Sequence, residues 1–281
     1  MKTEKTVTFK IDGQTVSALS RSPIIDAARS LGIEIPNLCH QPPLEAYGAC
    51  RLCLVEVKKG KRTRVVTSCT YPAEEGIEVF TGTDRVKKLR KMIVELLLAR
   101  CPGVEVIKNM AAEMGVTQSR FEVADDDCIM CGLCVRACRD LVGAAAISLV
   151  NRGRDREVVT PFRERSKDCI GCGVCVSICP TGAVKMDDKD GKRVMRNWKT
   201  EFVLKPCREC GTPFITPEHF DFLKKKSAMI EDALKFCPKC RAAVFGKKAA
   251  AAVRAGKSSG DLWEAVRKEH LLIDKNKQEN I

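Results

Sequence analysis

The chain has 281 residues, room for two or three small domains, with 17 cysteines, a formal charge of +13 and only 5% aromatic residues. An odd cysteine count excludes complete disulfide pairing, and sixteen of the thiols fall in tight clusters, mostly two residues apart, a geometry poor for disulfides and good for metal. So few aromatics leave little on which to stack bases, which argues against a nucleic-acid platform despite the charge.

The first ten residues, MKTEKTVTFK, lack the apolar run of a secretory signal. The longest weakly polar stretch, LVGAAAISLV, is half the length a membrane span needs. The expected location is the cytoplasm, where thiols stay reduced.

In chain order, residues 5 to 18 read as a hairpin: KTVTFKI alternates, Asp12-Gly13 supplies the turn and QTVSAL answers. PIIDAARSLG has helical spacing at Ile24, Ile25, Ala28 and Leu31, with Gly32 as a stop. The irregular stretch IPNLCHQPPLEAYGACRLC follows, then a second hairpin, LVEVKKGKRTRVV, around Gly60, and a short strand, EGIEVFT. Residues 83 to 100 form the clearest helix, capped by Thr83 and ended by Cys101-Pro102-Gly103, with Val86, Leu89, Ile93, Leu96 and Leu97 predicted as its buried face. A second helical stretch, VIKNMAAEMGV, leads to CIMCGLCVRACR at residue 128, whose cysteine pattern returns 41 residues later as CIGCGVCVSICP. AISLV, a turn at Asn151-Arg152-Gly153 and REVVTPF lie between the two runs. Beyond them come PCREC and CPKC, separated by a helix that Thr216 caps and Pro217 starts. An Ala- and Lys-rich tail with a helix at DLWEAVRKEHLL ends the chain.

CxxCxxCxxxC is a specific pattern. Two residues between cysteines let one tight loop aim three thiolates at one inorganic cube, while the fourth cysteine, just too far along, reaches the neighbouring cube. On that crossing rule Cys128, Cys131, Cys134 and Cys179 hold one [4Fe–4S] cluster, and Cys169, Cys172, Cys175 and Cys138 hold the other. Gly132, Gly171 and Gly173 let the backbone come close and take positive φ. Cys39, Cys50, Cys53 and Cys69, on a loop over a small β-rich domain, suit a [2Fe–2S] cluster. Cys207, Cys210, Cys237 and Cys240 read as two knuckles closing on one ion, with zinc the first expectation and a third [4Fe–4S] the alternative. A cluster on four thiolates carries roughly −2, so four such sites would lower the charge of the loaded chain to about +5.

GACRLCLVEV, TSCTYPAEEGIEVFT, CIMCGLCVRACRDLVGAAAI and CIGCGVCVSICPTGAV together resemble one family. It is the N-terminal iron–sulfur region of the large peripheral-arm subunit of NADH–quinone oxidoreductase, found also in the diaphorase small subunit of NAD-reducing hydrogenases and at the front of large iron-only hydrogenases. The similarity runs from about residue 5 to 190. It implies an α+β chain with a β-grasp-like [2Fe–2S] domain (1–82), a helical linker (83–121) and a bacterial ferredoxin-like two-[4Fe–4S] domain (122–199); beyond the resemblance, the two CxxC pairs read as a zinc-ribbon-like module (200–246) and the Ala- and Lys-rich end as a basic helical tail (247–281). The chain departs from the family after the long helix. Relatives carry there a further cluster on one His and three Cys, but LLLARCPGVEVIKNMAAEMGV has no His and Cys101 is its only thiol. That cluster is expected to be absent, with Cys101 a buried structural thiol. His40, His219 and His270 are expected to pack or face solvent, although His40, beside Cys39, is placed to tune the [2Fe–2S] site.

No GxGxxG follows a strand, and no phosphate loop or nucleophile triad is visible. The expectation is therefore conduction rather than catalysis by this chain alone. Single electrons would pass between a flavin- and NAD(H)-binding subunit and a second redox subunit or ferredoxin, in a hetero-oligomer with no membrane span and no nucleic acid. Hydrogenase, formate dehydrogenase, electron-bifurcating and heterodisulfide-reductase-like complexes all fit, and no second large domain is expected. Two alternatives remain: a complete oxidoreductase, and a basic zinc-ribbon redox sensor on nucleic acid, for which only Lys224-Lys225-Lys226 and Lys247-Lys248 offer a patch. The tail is expected to dock through Leu262, Trp263, Val266 and Leu271.

Overall fold

The computed structural model describes residues 5–227 and 231–254. The expected tail helix and His270 lie outside the described residues. The chain divides into two units: Met1–Asp168 with Gly173–Lys185, and Cys169–Cys172 with Met186–Ile281.

The first unit opens with the predicted hairpin, β1 (Thr6–Ile11) and β2 (Gln14–Leu19), closed at Ile11↔Gln14. Val7, Phe9 and Ile11 are buried while the residues between them face solvent, as a pleated strand with one covered face requires. Helix α1 (Ile24–Ser30) follows, then the second hairpin, β3 (Leu54–Lys59) and β4 (Arg62–Thr67), and β5 (Glu78–Phe80). The five strands form one mixed sheet in the order β2-β1-β5-β3-β4, with β1 and β5 parallel. Ile24, Ile25 and Ala28 of α1 are buried in one apolar cluster with Phe9, Ile11, Val55, Ile77 and Val79 of the sheet. This is the expected β-grasp-like arrangement.

Helix α2 (Asp84–Arg100) starts where predicted, with the Val86 N–H donating to Thr83 Oγ1 at 3.3 Å. Its buried face differs from the predicted one. Val86, Arg90, Val94, Glu95 and Ala99 are buried, whereas Leu96 is 47% exposed. Hydrophobic periodicity misses this because two buried positions are charged and find hydrogen-bond partners outside the helix. Arg90 donates to the Leu54 carbonyl at 2.5 Å, and Glu95 accepts both Arg120 Nε and the Arg120 backbone N–H at 2.8 Å. Those two bonds with Arg120 hold the Glu95 carboxyl down at about 2.

Helix α3 (Glu105–Glu113) packs on α2. After it come the one-turn helix α4 (Leu133–Arg136), which runs into a wider π-type turn at Ala137–Val142, the hairpin β6 (Ser148–Val150) and β7 (Glu157–Val159), and α5 (Val174–Ser177).

The second unit holds β8 (Met186–Lys189), β9 (Lys192–Met195) and β10 (Thr200–Val203) in an antiparallel sheet ordered β10-β9-β8. The short pair β11 (Lys205–Pro206) and β12 (Pro213–Ile215), α6 (Pro217–Lys226) and α7 (Pro238–Arg254) complete it. Thr216 caps α6 as expected, accepting the His219 N–H at 3.1 Å.

Candidate iron–sulfur and metal sites

The four N-terminal thiols meet on the loops beside the β-grasp sheet. All four are at least 96% buried. The Cys39 thiol interacts with those of Cys50 and Cys69, and Cys53 with that of Cys69. These contacts pull Cys53 down to about 6 and push Cys50 and Cys69 up. Four thiols gathered in so dry a cage suit metal, which binds them as thiolates in place of their protons. The backbone already donates inward. Leu38 N–H reaches Cys50 Sγ at 3.5 Å and Cys50 N–H reaches Cys39 Sγ at 3.4 Å. The Pro- and Gly-rich loop makes this possible, with Gly48 at φ +70 bringing the chain against Thr70, whose methyl would lie 3.1 Å from any Cβ there. The cage fits a [2Fe–2S] group.

His40 is 4% exposed, with Nε2 2.9 Å from Asp26 Oδ1 and Nδ1 unpartnered among the described residues.

The set Cys128, Cys131, Cys134 and Cys179 lies within the first unit, and Cys134 feels the charges of Cys131, Cys128, Cys175 and Cys179. Burial pushes the Cys131 thiol up to about 11 and raises Cys128 and Cys134. Gly132 (φ +68) turns the chain so that α4 begins immediately, carrying Cys134 and bringing Cys138 into the turn behind it. Of the second set, Cys138 and Cys175 lie in the first unit, and the Ala146 N–H donates to Cys138 Sγ at 3.3 Å. Cys169 and Cys172 belong to the second unit.

One apolar cluster joins the [2Fe–2S] cage to the first cube set. Cys39, Cys50 and Leu52 are buried in it with Ile129, Cys131 and Leu133, while Val104, Ile107, Ala111 and Val116 fill the seam from the stretch predicted as a linker. Cys53 and Cys69 belong instead to the sheet-side core. Cys101 is fully buried in the same seam, its thiol pushed up to about 12 by burial. Arg136, unremarked in the sequence, pins the seam. Its guanidinium donates to the Glu45 carbonyl at 2.5 Å and to the Cys39 carbonyl at 3.1 Å, and lies 5.3 Å from the Tyr47 ring centroid. Two further residues that spacing does not reveal, Arg193 and Thr216, donate to the backbone of the Cys169–Cys172 turn.

Cys207, Cys210, Cys237 and Cys240 converge, their sulfurs all within 4.8 Å of one another. Cys237 N–H donates to Cys207 Sγ at 3.2 Å and Cys240 N–H to Cys237 Sγ at 3.5 Å. Burial pushes the Cys207 thiol up, but backbone N–H groups of Cys237, Cys210 and Glu209 outweigh it and bring the thiol down to about 6. Four converging sulfurs with a lowered thiol among them could hold a metal ion or a cluster.

Comparison with known proteins finds iron–sulfur domains along the chain. Residues 4–84 match a 2Fe-2S iron-sulfur cluster binding domain, and residues 122–186 and 168–214 match 4Fe-4S dicluster domains. The NADH-ubiquinone oxidoreductase 75 kDa subunit of Reclinomonas americana is 30% identical over 216 residues, 68% of this chain and 30% of that protein. NADPH-Fe(3+) oxidoreductase subunit alpha of Geobacter sulfurreducens (strain DL-1 / KN400) is 30% identical over 231 residues, 73% of this chain and 27% of that protein. The chain thus spans less than a third of the length of these curated relatives. Among solved structures, a chain of the NAD+-reducing [NiFe]-hydrogenase in the H2-reduced state aligns with a TM-score of 0.55 at 27% identity, covering 63% of this chain and 86% of that one. The chain is an α+β iron–sulfur protein with one [2Fe–2S] and two [4Fe–4S] domains, similar to the 75 kDa subunit of NADH–ubiquinone oxidoreductase and to a subunit of NAD+-reducing hydrogenase.

Proposed function

We propose that the chain relays single electrons between a partner bearing flavin and NAD(H) and a second redox subunit or ferredoxin, as one subunit of a soluble cytoplasmic complex. The observation that carries this reading is the shared apolar cluster, in which Cys39 and Cys50 of one cage and Cys131 of the next are buried together. The bound clusters supply one-electron couples, whereas NADH delivers two electrons at once, so a flavin upstream must split the pair. The chain's own residues fix the cages relative to one another, exclude water from the seam and direct N–H groups at sulfur, which sets potentials. The names of the relatives support an NAD(H)-linked complex. Among the described residues no helix is long and apolar enough to cross a membrane.

The proposed ligands are Cys39, Cys50, Cys53 and Cys69 for [2Fe–2S]; Cys128, Cys131, Cys134 and Cys179 for one [4Fe–4S]; and Cys169, Cys172, Cys175 and Cys138 for the other. At Cys207, Cys210, Cys237 and Cys240 we assign zinc. A tetrahedral ion with Zn–S bonds near 2.3 Å sets its sulfurs about 3.8 Å apart. Cys210 and Cys237 Sγ are 3.8 Å apart. A cube spreads its thiolates wider, because each sits on a different iron.

The test is elemental analysis and EPR of anaerobically purified chain, followed by reconstitution with the flavoprotein partner. Elemental analysis is expected to find one zinc per chain, and EPR one [2Fe–2S] and two [4Fe–4S] signals, the clusters being reducible by NADH only when the partner is present. A chain that binds its iron but stays oxidised with partner and NADH would sink the relay reading, and a further cluster in place of zinc would sink the zinc assignment alone.

A further inference from the structure

The Cys169–Cys172 turn carries two thiols of the second cube set, and its two inner carbonyls are both tied by residues far along the chain. Thr216 Oγ1 donates to the Ile170 carbonyl at 2.5 Å. Arg193, in β9, donates through Nη1 to the Gly171 carbonyl at 2.8 Å. The rest of the Arg193 guanidinium is committed as well. Nε and Nη2 form a bidentate pair with Asp188 at 2.8 and 2.7 Å, and Nη2 reaches the Phe214 carbonyl of β12 at 3.3 Å. Thr216 is fully buried and Arg193 is 8% exposed. Gly171, at φ +64, is closed in from the same side. A Cβ there would lie 2.8 and 2.9 Å from the Phe202 ring and 2.9 Å from the Thr216 methyl, so no side chain fits.

These ties do more than hold a loop. A peptide is planar and trans, so fixing the Ile170 carbonyl aims the Gly171 N–H to the opposite side, and fixing the Gly171 carbonyl does the same for the Cys172 N–H. N–H groups beside cluster sulfur are a main lever on its potential. Thr216 and Phe214 are in turn set by the C-terminal thiol site. β12 leaves the Cys207 knuckle directly, where Cys207 N–H donates to the Thr212 carbonyl and Gly211 N–H to the Cys207 carbonyl, both at 2.9 Å. Thr216 then starts α6, on the way to Cys237.

We propose that the Cys207/Cys210/Cys237/Cys240 module braces the second [4Fe–4S] loop. The ion fixes β12, β12 places Thr216 and the carbonyl that meets Arg193, and these two positioning residues orient the peptides between Cys169 and Cys172. The proposal rests on the ligand assignment made above for those two cysteines.

The experiment is an EPR-monitored redox titration of the full chain, purified anaerobically. The parent must show two [4Fe–4S] couples; a single one would overturn the ligand assignment and the brace with it. Thr216→Val removes the hydroxyl and keeps the shape, Thr216→Ser keeps the hydroxyl, and Arg193→Met removes the second tie without touching the α6 cap. T216V and R193M are expected to shift the same one of the two [4Fe–4S] couples, with the other and the [2Fe–2S] couple at parent values and T216S restoring the parent titration. Cys210→Ser, at the exposed ligand, is expected to lose the module's ion and shift that same couple. Should T216V fail to fold, R193M and C210S give the reading. Unchanged couples in R193M and in ion-free C210S would overturn the brace, as would an equal shift of all couples. Iron instead of zinc at the module would overturn the zinc assignment and leave the brace to the variants.

Discussion

Replacing Arg136 by methionine should loosen the joint between the [2Fe–2S] cage and the first [4Fe–4S] loop. Methionine keeps most of the aliphatic stem and loses every donor. The side chain is 8% exposed, so the Glu45 and Cys39 carbonyls it serves would find no ready substitute. A hydrogen bond from a charged donor contributes about 1.5–3 kcal/mol. The Tyr47 ring adds about 0.5–1 kcal/mol, at the low end because Tyr47 is 45% exposed. Against this stands Arg136 Nε, buried and unpartnered among the described residues. Its release recovers about 1–3 kcal/mol. With both bonds lost, about 3–6 kcal/mol together, the net loss centres on about 3 kcal/mol, a large share of the 5–15 kcal/mol typical of a domain. With a urea dependence of about 2–3 kcal/mol per molar, the midpoint should fall by about 1 M. Anaerobic urea unfolding followed by cluster absorbance reads it, together with the EPR line shape of the [2Fe–2S] site, which should broaden as the Cys39 loop relaxes. Arg136→Lys keeps the charge without the fork and should recover less than half the loss. An R136M chain with the parent's midpoint and line shape would refute the reasoning.

Two further outcomes follow from buried groups of the same unit. Cys101→Ala should keep every iron and cost about 1 kcal/mol in urea unfolding, with Cys101→Ser costlier because its hydroxyl is buried without a partner; loss of iron would show that the thiol is a ligand. Glu95→Gln should be less stable than the parent near neutral pH. Because Arg120 holds the Glu95 carboxyl at about 2, below its ordinary 4.5, the carboxylate's stabilisation is complete above pH 4.5 and is lost as pH falls towards 2. The gap between E95Q and parent in denaturant unfolding should close over that range, and a gap independent of pH would contradict it.

Features written in local chemistry are legible in the sequence. Asp12 and Gly13 both adopt positive φ, as a two-residue hairpin loop demands, and the strands on either side pair as their alternation predicts. Thr83 and Thr216 cap the helices that they are expected to cap. The three glycines beside the cube cysteines all take positive φ. What cannot be read depends on distant partners. Arg136 serves a carbonyl 97 residues away, and Thr216 one 46 residues away. Periodicity assigns Leu96 to the core and leaves Arg90 and Glu95 out, because it scores a side chain by its own polarity and not by the donor or acceptor waiting for it. The stretch between the two cluster regions reads as a linker. Its apolar residues Val104, Ile107 and Ala111 have helical spacing, but what they pack against is set by both neighbours and not by the stretch itself.

That seam has an electrical consequence. Hydrocarbon from Val104, Ile107, Ala111 and Val116 lies around Cys39, Cys50 and Cys131 where water would otherwise screen charge. With the proposed clusters in place, a unit of negative charge arriving behind Cys39 and Cys50 would be screened less on its way to Cys131 than across water, and the next arrival would be opposed. Simultaneous occupancy of the two stations would then be disfavoured over part of the titration, which favours handing charge onward one unit at a time over storing it.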